Sequence, residues 1–250
     1  MNKYLTIINY RTLISFIIVL ITLFFVYKYG LIFNIDITLL SIAIIFPLVF
    51  NIRGSFRRRE KALEHLSEFR SALVTIQYFF MSCSKLNEND QEKISMILLE
   101  ISNRLISHLK KNDYNIIELD KSTNKVFEFI MDKNLLISGR KAEKIFRCMN
   151  SLHESIENLN AIHVHRTPIS LKAYCEFFIY IFPIIYTPTI IYQVGIETSV
   201  WVTGFVVLFS EFILISLYNI QDHLEYPFDN IGLDDIKLDI FKLDRNSLQN

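Results

Sequence analysis

The sequence predicts an all-α membrane protein, with four transmembrane helices continuous with a cytoplasmic helical bundle. Three observations carry that expectation. Four apolar stretches stand in two pairs, one at each end of the 250-residue chain. The polar middle runs from Gly54 to Leu171 with no proline before Pro168 and one further glycine, Gly139, a profile of helix rather than of turns and strands. Apolar residues in that middle recur at steps of three and four, the period of one helix face. The overall figures, 51% hydrophobic residues and a formal net charge of zero, bound the chain only to one or two domains.

Taken in order, Thr12 to Tyr27 is uncharged, and Lys28 can snorkel so that the span extends towards Phe33. Ile37 to Ile52 follows after a hairpin-length connection. Residues 1–53 therefore read as a transmembrane hairpin with spans at about 12–33 and 35–52. No small-residue cleavage site follows the first span, and a second apolar stretch comes at once, so it is not a cleaved signal peptide. Phe177 to Ile196 and Ser199 to Ile220 form the second hairpin, within residues 171–221, each near the roughly 20 residues that cross a bilayer. Pro183 and Pro188 bend the third span and require neighbours for the carbonyls they free. Glu211 is the one charge in the fourth span. An ionisable group there faces the bundle interior or a partner, whereas Glu176 stands near a membrane edge. The basic run "RGSFRRREK", Arg53 to Lys61, together with Lys3 and Arg11, flanks the spans, while their short connections carry little positive charge. Both termini and the middle are thus expected in the cytoplasm.

In the helical domain, residues 54–170, Leu63, Leu66, Phe69, Leu73, Ile76 and Phe80 make one stripe. Ile94, Ile97, Ile101 and Leu105 make a second, and Ala142, Ile145, Met149, Leu152, Ile156 and Leu159 a third, of heptad type. Asn89 or Asp90 is the expected cap between the first two. Around "DYNIIELDKSTNKVFEF" the pattern suggests a loop and a shorter helix. Helices near Phe56 and Leu159 are expected to continue spans two and three. Residues 222–250 form an acidic segment and tail.

No phosphate-binding, dinucleotide, nucleophile-elbow or zinc-protease motif is present, so an enzyme is not expected. The basic run lacks interleaved aromatics and abuts a membrane, which argues against nucleic acid. Cys83, Cys148 and Cys175 form no CxxC pattern and read as reduced structural residues. His163 and His165 of "HVH" point to different faces of a helix and make no two-ligand metal site. The aspartates at 229, 234, 235 and 239 lack the spacing of an EF-hand loop.

Two segments resemble one family. "RTPISLKAY", Arg166 to Tyr174, is similar to the segment that opens the third span of bestrophin-type ion channels, and "LEYPFDNIGLDDIKLD", Leu224 to Asp239, to the segment after their fourth. The hairpin, the exit "FNIRGSFRRRE" and the helical middle fall in the same order, so the resemblance covers nearly the whole chain. Ser170 in place of a second proline, Asp229 in place of a glycine and a longer acidic segment mark a divergent bacterial member. The resemblance implies a bestrophin-like fold and a passive ion channel of the bacterial inner (plasma) membrane. It implies a homopentamer around one axial pore, conducting chloride or another anion, with cation permeability open. Its partners would be copies of itself, membrane lipid and permeant small ions.

Ile35, Leu39, Ala43, Phe46 and Phe50 fall within about 80° of one helix face and would form the neck, a hydrophobic constriction. Leu136 and Ile137 would form a second, cytoplasmic one. Pro227, Phe228, Asp234 and Asp235 would form a clasp: Pro227 ends the fourth helix, and Phe228 anchors the segment on the bundle. Eukaryotic members of that family hold calcium at the corresponding segment, with Asp234 and Asp235 as the counterparts here. A structural role for these aspartates is favoured, and no cofactor is expected. The rival reading is a non-conducting scaffold or sensor that binds a cytoplasmic partner through its helical domain. A transporter ranks third, since four spans without a repeat leave little for alternating access.

Overall fold

The computed structural model describes residues 8–111, 115–195, 197–232 and 234–244; Lys3, Ile196 and residues 245–250 lie outside these. The described chain holds seven α-helices: α1 Tyr10–Tyr29, α2 Thr38–Met81, α3 Glu88–Lys110, α4 Ile117–Asp132, α5 Gly139–Val164, α6 Ile169–Val194 and α7 Val200–Glu225. A short 3-10 helix, Leu238–Phe241, follows. Helices α1, α2 and α7, and the apolar stretch that contains α6, are long and apolar enough to cross a membrane.

Local chemistry sets the ends. The Asn9 side chain accepts from the backbone N–H groups of Arg11 and Thr12 at 3.0 and 3.3 Å. The Thr12 hydroxyl accepts from the Asn9 N–H in return, so α1 opens on a capping box. It closes at Gly30, whose φ of 62° is the left-handed conformation that glycine adopts without a Cβ clash. The helix therefore stops short of Phe33. Asp36 accepts from the Thr38 N–H at 2.9 Å and starts α2 there, which leaves Ile35 in the connection rather than on the helix. From Thr38, α2 runs 44 residues without a break, as expected for span two. The matching expectation for span three is corrected. Helix α5 ends at Val164, and residues 165–168 leave the helix before α6 begins. Pro168 bars the residue before it from helical backbone angles and suits the position just ahead of a new helix. The cap of α3 is Asn87, not Asn89 or Asp90; its side chain accepts from the Asp90 N–H at 2.8 Å.

Pro47 lies inside α2. It has no N–H, so the carbonyl of Ala43, four residues back, loses its helical donor. The Tyr174 hydroxyl of α6 donates to that carbonyl at 3.2 Å.

The chain divides into two compact units. A membrane unit comprises the described residues of Met1–Arg57, Thr167–Glu225 and Gly232–Asp234, and a bundle unit those of Arg58–Arg166, Tyr226–Ile231 and Asp235–Asn250. In the membrane unit α1, α6 and α7 pack on one another. Val19 and Leu23 of α1 meet Val207 of α7, and Ile44 and Leu48 of α2 pack with Cys175, Ile179, Ile215 and Tyr218. In the bundle unit one core joins Leu66, Phe69, Leu73, Ile76 and Phe80 of α2, Ile94, Ile101 and Leu105 of α3, and Ile145, Leu152, Ile156 and Leu159 of α5. These are the stripes read from the sequence, with Leu63, Ile97 and Ala142 at their half-buried margins.

Candidate functional site

One face of α2 is left uncovered. Leu39, Phe46 and Phe50 are 77%, 62% and 55% exposed, and Ala43 is half-buried. Ile44, Leu48, Asn51 and Ser55 on the opposite face are buried. The helix thus turns its closely packed side inward and shows outward a broad apolar face, on which Ile42, Ile45 and Val49 are exposed beside the Leu39–Phe46–Phe50 stripe. Phe46 and Phe50, one turn apart, meet edge to face with ring centroids 5.0 Å apart. Ile35, also exposed, stands in the connection before the stripe and outside its helical register.

The turn after α4 separates the other expected constriction residues. Ile137 is buried in the bundle core, and Leu136 is half-buried against it. Both are fixed by packing, whereas their neighbour Leu135 is 90% exposed. The apolar side chain this turn presents outward is Leu135, and no pattern in the sequence separates it from its two neighbours.

Pro227 stands two residues past the end of α7, after Tyr226. The Pro227 carbonyl accepts from the Ile236 N–H at 2.8 Å and closes a loop. Within it Asn230 takes a φ of 61°, a conformation asparagine tolerates better than most residues. Asp229 accepts from the Ile231 N–H at 3.0 Å, a side-chain turn that stands where the resembling family has glycine. Phe228, Ile236 and Leu238 are buried in the bundle core, and the Arg166 guanidinium lies 4.3 Å from the centre of the Tyr226 ring. Asp239 pairs with Lys110 at 3.0 Å and with Lys242 at 2.9 Å. Hydrogen bonds from Lys242 and Lys110 hold its carboxyl below the usual carboxylate range. The Lys242 carbonyl accepts from Arg70 Nε at 3.3 Å, and Ser102 Oγ accepts from the Leu243 N–H at 2.9 Å. Asp234 is exposed and Asp235 half-buried. Among the described residues no group of three or more histidines, cysteines and carboxylates is placed to hold a metal ion.

The membrane unit has a polar interior that the sequence showed only in part. Glu211 is fully buried and accepts from Ser15 Oγ of α1 at 2.5 Å, which supplies the interior partner expected for it. Glu176 accepts from the Tyr218 hydroxyl at 3.3 Å and lies 3.7 Å from Arg11 Nε. Lys172 bridges Asp222 at 2.6 Å and Glu225 at 2.9 Å, and Arg11 reaches Asp222 at 2.9 Å. Glu225 also accepts from the Thr167 N–H at 3.0 Å, and Asn219 donates to Thr12 at 3.1 Å. Lys172, Asp222 and Glu225 had a signal in the sequence: charges at the edges of uncharged runs, three residues apart on the fourth helix. Which of them would meet depended on the packing.

No protein-family model matches the chain, and no curated protein matches it. Solved structures do. A crystal structure described as a membrane protein superposes with a TM-score of 0.79 at 17% identity, over 96% of each chain. A bacterial bestrophin homologue from Klebsiella pneumoniae matches with a TM-score of 0.75 at 16% identity, over 93% of each chain. A variant of that homologue matches with a TM-score of 0.76 at 17% identity, over 96% of each. At this identity the likeness is one of fold.

Proposed function

We propose that this chain, which has the fold of the bacterial bestrophin homologues, is a passive ion channel. Five copies surround one axial pore, with α2 of each copy innermost. The observation that carries this reading is the outward stripe of α2: Leu39, Phe46 and Phe50 are exposed while Ile44 and Leu48 behind them are buried. Five such stripes, with Ala43 between the larger side chains, make a stack of apolar rings. A hydrophobic constriction of that kind gates by dewetting. Leu135 forms the second narrowing, in place of Leu136 and Ile137, because it alone of the three is free of its own core.

The permeant species is chloride or another small anion, with cation permeability to be measured. The channel resides in a bacterial inner membrane. Both termini are in the cytoplasm, held there by the basic run from Arg53 to Lys61. The clasp works structurally: Phe228 is buried in the bundle core and Asp239 is paired with two lysines. It needs no calcium and no other cofactor.

Reconstitution into planar bilayers tests the reading. Phe46→Ala and Leu39→Ala are each expected to raise conductance several-fold by widening the rings, with a five-fold assembly in detergent. A monomer or dimer without conductance would overturn the channel and favour a scaffold that binds its partner through the bundle.

A further inference from the structure

The first histidine of "HVH" takes no part in the neck or in the ion pairs of the clasp, yet it sits beside Phe228. His163, in the last turn of α5, donates from Nε2 to the Lys111 carbonyl at the end of α3, 2.9 Å away. Its ring stands edge to face with His108 of α3, centroids 5.4 Å apart, and 6.1 Å from the ring of Phe228. His108 is buried, with Nε2 3.0 Å from Asn160 Oδ1 of α5. Two imidazoles and a buried phenyl ring thus form the seam between α3, α5 and the segment after α7.

Charged groups of both signs surround that seam: Glu100, Arg104 and Lys111 of the α3 side and Glu118 of α4 line one cavity with His108. Lys111 follows His108 on the α3 side. Arg166 follows His163 on the α5 side and stacks on Tyr226 of the clasp. From α2, Arg58 donates to the His165 carbonyl. The carboxylate of the clasp's 3-10 helix, Asp239, is engaged by Lys110 and Lys242. A proton added to His163 therefore enters a partly buried site beside a second imidazole and an arginine. Burial, then His108, then Arg166 hold the imidazole below its usual range, against the opposing pull of the Lys111 carbonyl.

We infer that the His108–His163 pair is an acid-sensitive latch: neutral imidazoles hold Phe228 in the bundle, and protonation loosens the segment from Tyr226 to Phe241. The sign follows from linkage. The latched state binds the His163 proton more weakly than the open state. Latch stability is therefore fully present above the ordinary imidazole pKa of about 6.5, and is lost as pH falls through the lower latched value.

The test is hydrogen exchange on the full chain in detergent from pH 7.5 to 5.5, corrected for the intrinsic pH dependence of exchange. The wild type is expected to show faster opening of Tyr226–Phe241 on acidification, up to about tenfold per pH unit for one linked proton. His163→Gln keeps an N–H donor for the Lys111 carbonyl but cannot titrate, and should flatten that dependence. Asp239→Asn should raise opening at every pH and leave the slope unchanged. A flat wild type overturns the inference, as does a slope that survives in His108→Gln/His163→Gln. A slope abolished by Asp239→Asn would overturn it too. The wild type gives a second reading without substitution. Opening must share its midpoint with the titration of the His163 ring followed by NMR, and two separate midpoints would sink the latch.

Discussion

Helix α3 hides Ile94, Leu98, Ile101 and Leu105 and shows Glu92, Lys93 and Lys110. Helix α7 hides Glu211, Asn219, Gln221 and Glu225 and shows Trp201, Phe205, Phe209 and Ile213. Both helices bury apolar side chains, Val207, Leu214 and Ile215 in α7 among them, but α7 adds carboxylates and amides to its buried face and keeps its exposed face apolar. The difference teaches what holds each unit together. Against water, burying aliphatic surface is itself favourable, and α3 needs little else. Against lipid, an apolar face gains nothing by being buried, so association rests on close packing and on polar contacts between helices. Glu211 with Ser15, Asn219 with Thr12, and Lys172 with Asp222 and Glu225 are those contacts.

The largest test of the comparison is removal of a charge from inside the membrane unit. Lys172→Met leaves the nearly inaccessible Glu225 without its cation and should cost about 3–5 kcal/mol. Unfolding of the purified protein in mixed micelles would measure it. The bundle should be as sensitive, but to lost volume instead. Leu98→Ala is expected to cost about 2–5 kcal/mol through the cavity it leaves, whereas Leu98→Met should cost less than about 1.5 kcal/mol. A single interhelical hydrogen bond sits lower on the scale. Ser15→Ala should cost on the order of 0.6 kcal/mol, the usual worth of such a bond within a membrane. Tyr174→Phe should cost about as much, and only while Pro47 is present. In a double-mutant cycle with Pro47→Ala, which restores the missing N–H, the effect of Tyr174→Phe should vanish.

The smallest effect belongs to the clasp's surface pair. Lys110→Ala should change stability by no more than about 0.5 kcal/mol. Asp239→Asn should remove a pH dependence on the acid side. The carboxyl is held low in the folded state, so its contribution is present above the unfolded value of about 3.9 and is lost as pH falls through the folded one. Acid titration of the two proteins side by side would show whether the difference lies there.

The comparison also explains what could be read from the sequence. A stripe in the bundle announces itself, because its apolar side chains repeat against a polar background; Ile145, Leu152, Ile156 and Leu159 are all core. Along α6 or α7 the background is apolar too, and the period disappears. The apolar runs reveal that helices exist there, and Glu211 reveals that one side must be covered, but Ser15 as its partner lies 196 residues away and follows only from the packing of α1 on α7. Pro227 and Phe228 stood out because the segment around them resembles the one after the fourth span of bestrophin-type ion channels, and Phe228 is buried in the bundle core. Ile35 was misplaced because helical spacing continues through any string of residues, while the helix itself waits for a start signal, here Asp36. That Leu135 rather than Leu136 or Ile137 is exposed could not be read, because three adjacent apolar residues in a turn carry no period at all.

The bundle core contains Phe228, Ile236 and Leu238, which the ribosome adds only after both C-terminal apolar helices. Helices α3 to α5 are complete well before that and must wait with one side of their core unfilled. The membrane unit waits as well, since α1 and α2 are made long before α6 and α7. Neither unit can close as its own residues emerge, and each holds the other's completion across the whole length of synthesis. Such a chain exposes apolar surface for longer than one built of consecutive domains. The quality of its assembly should therefore depend on how quickly the second hairpin is inserted.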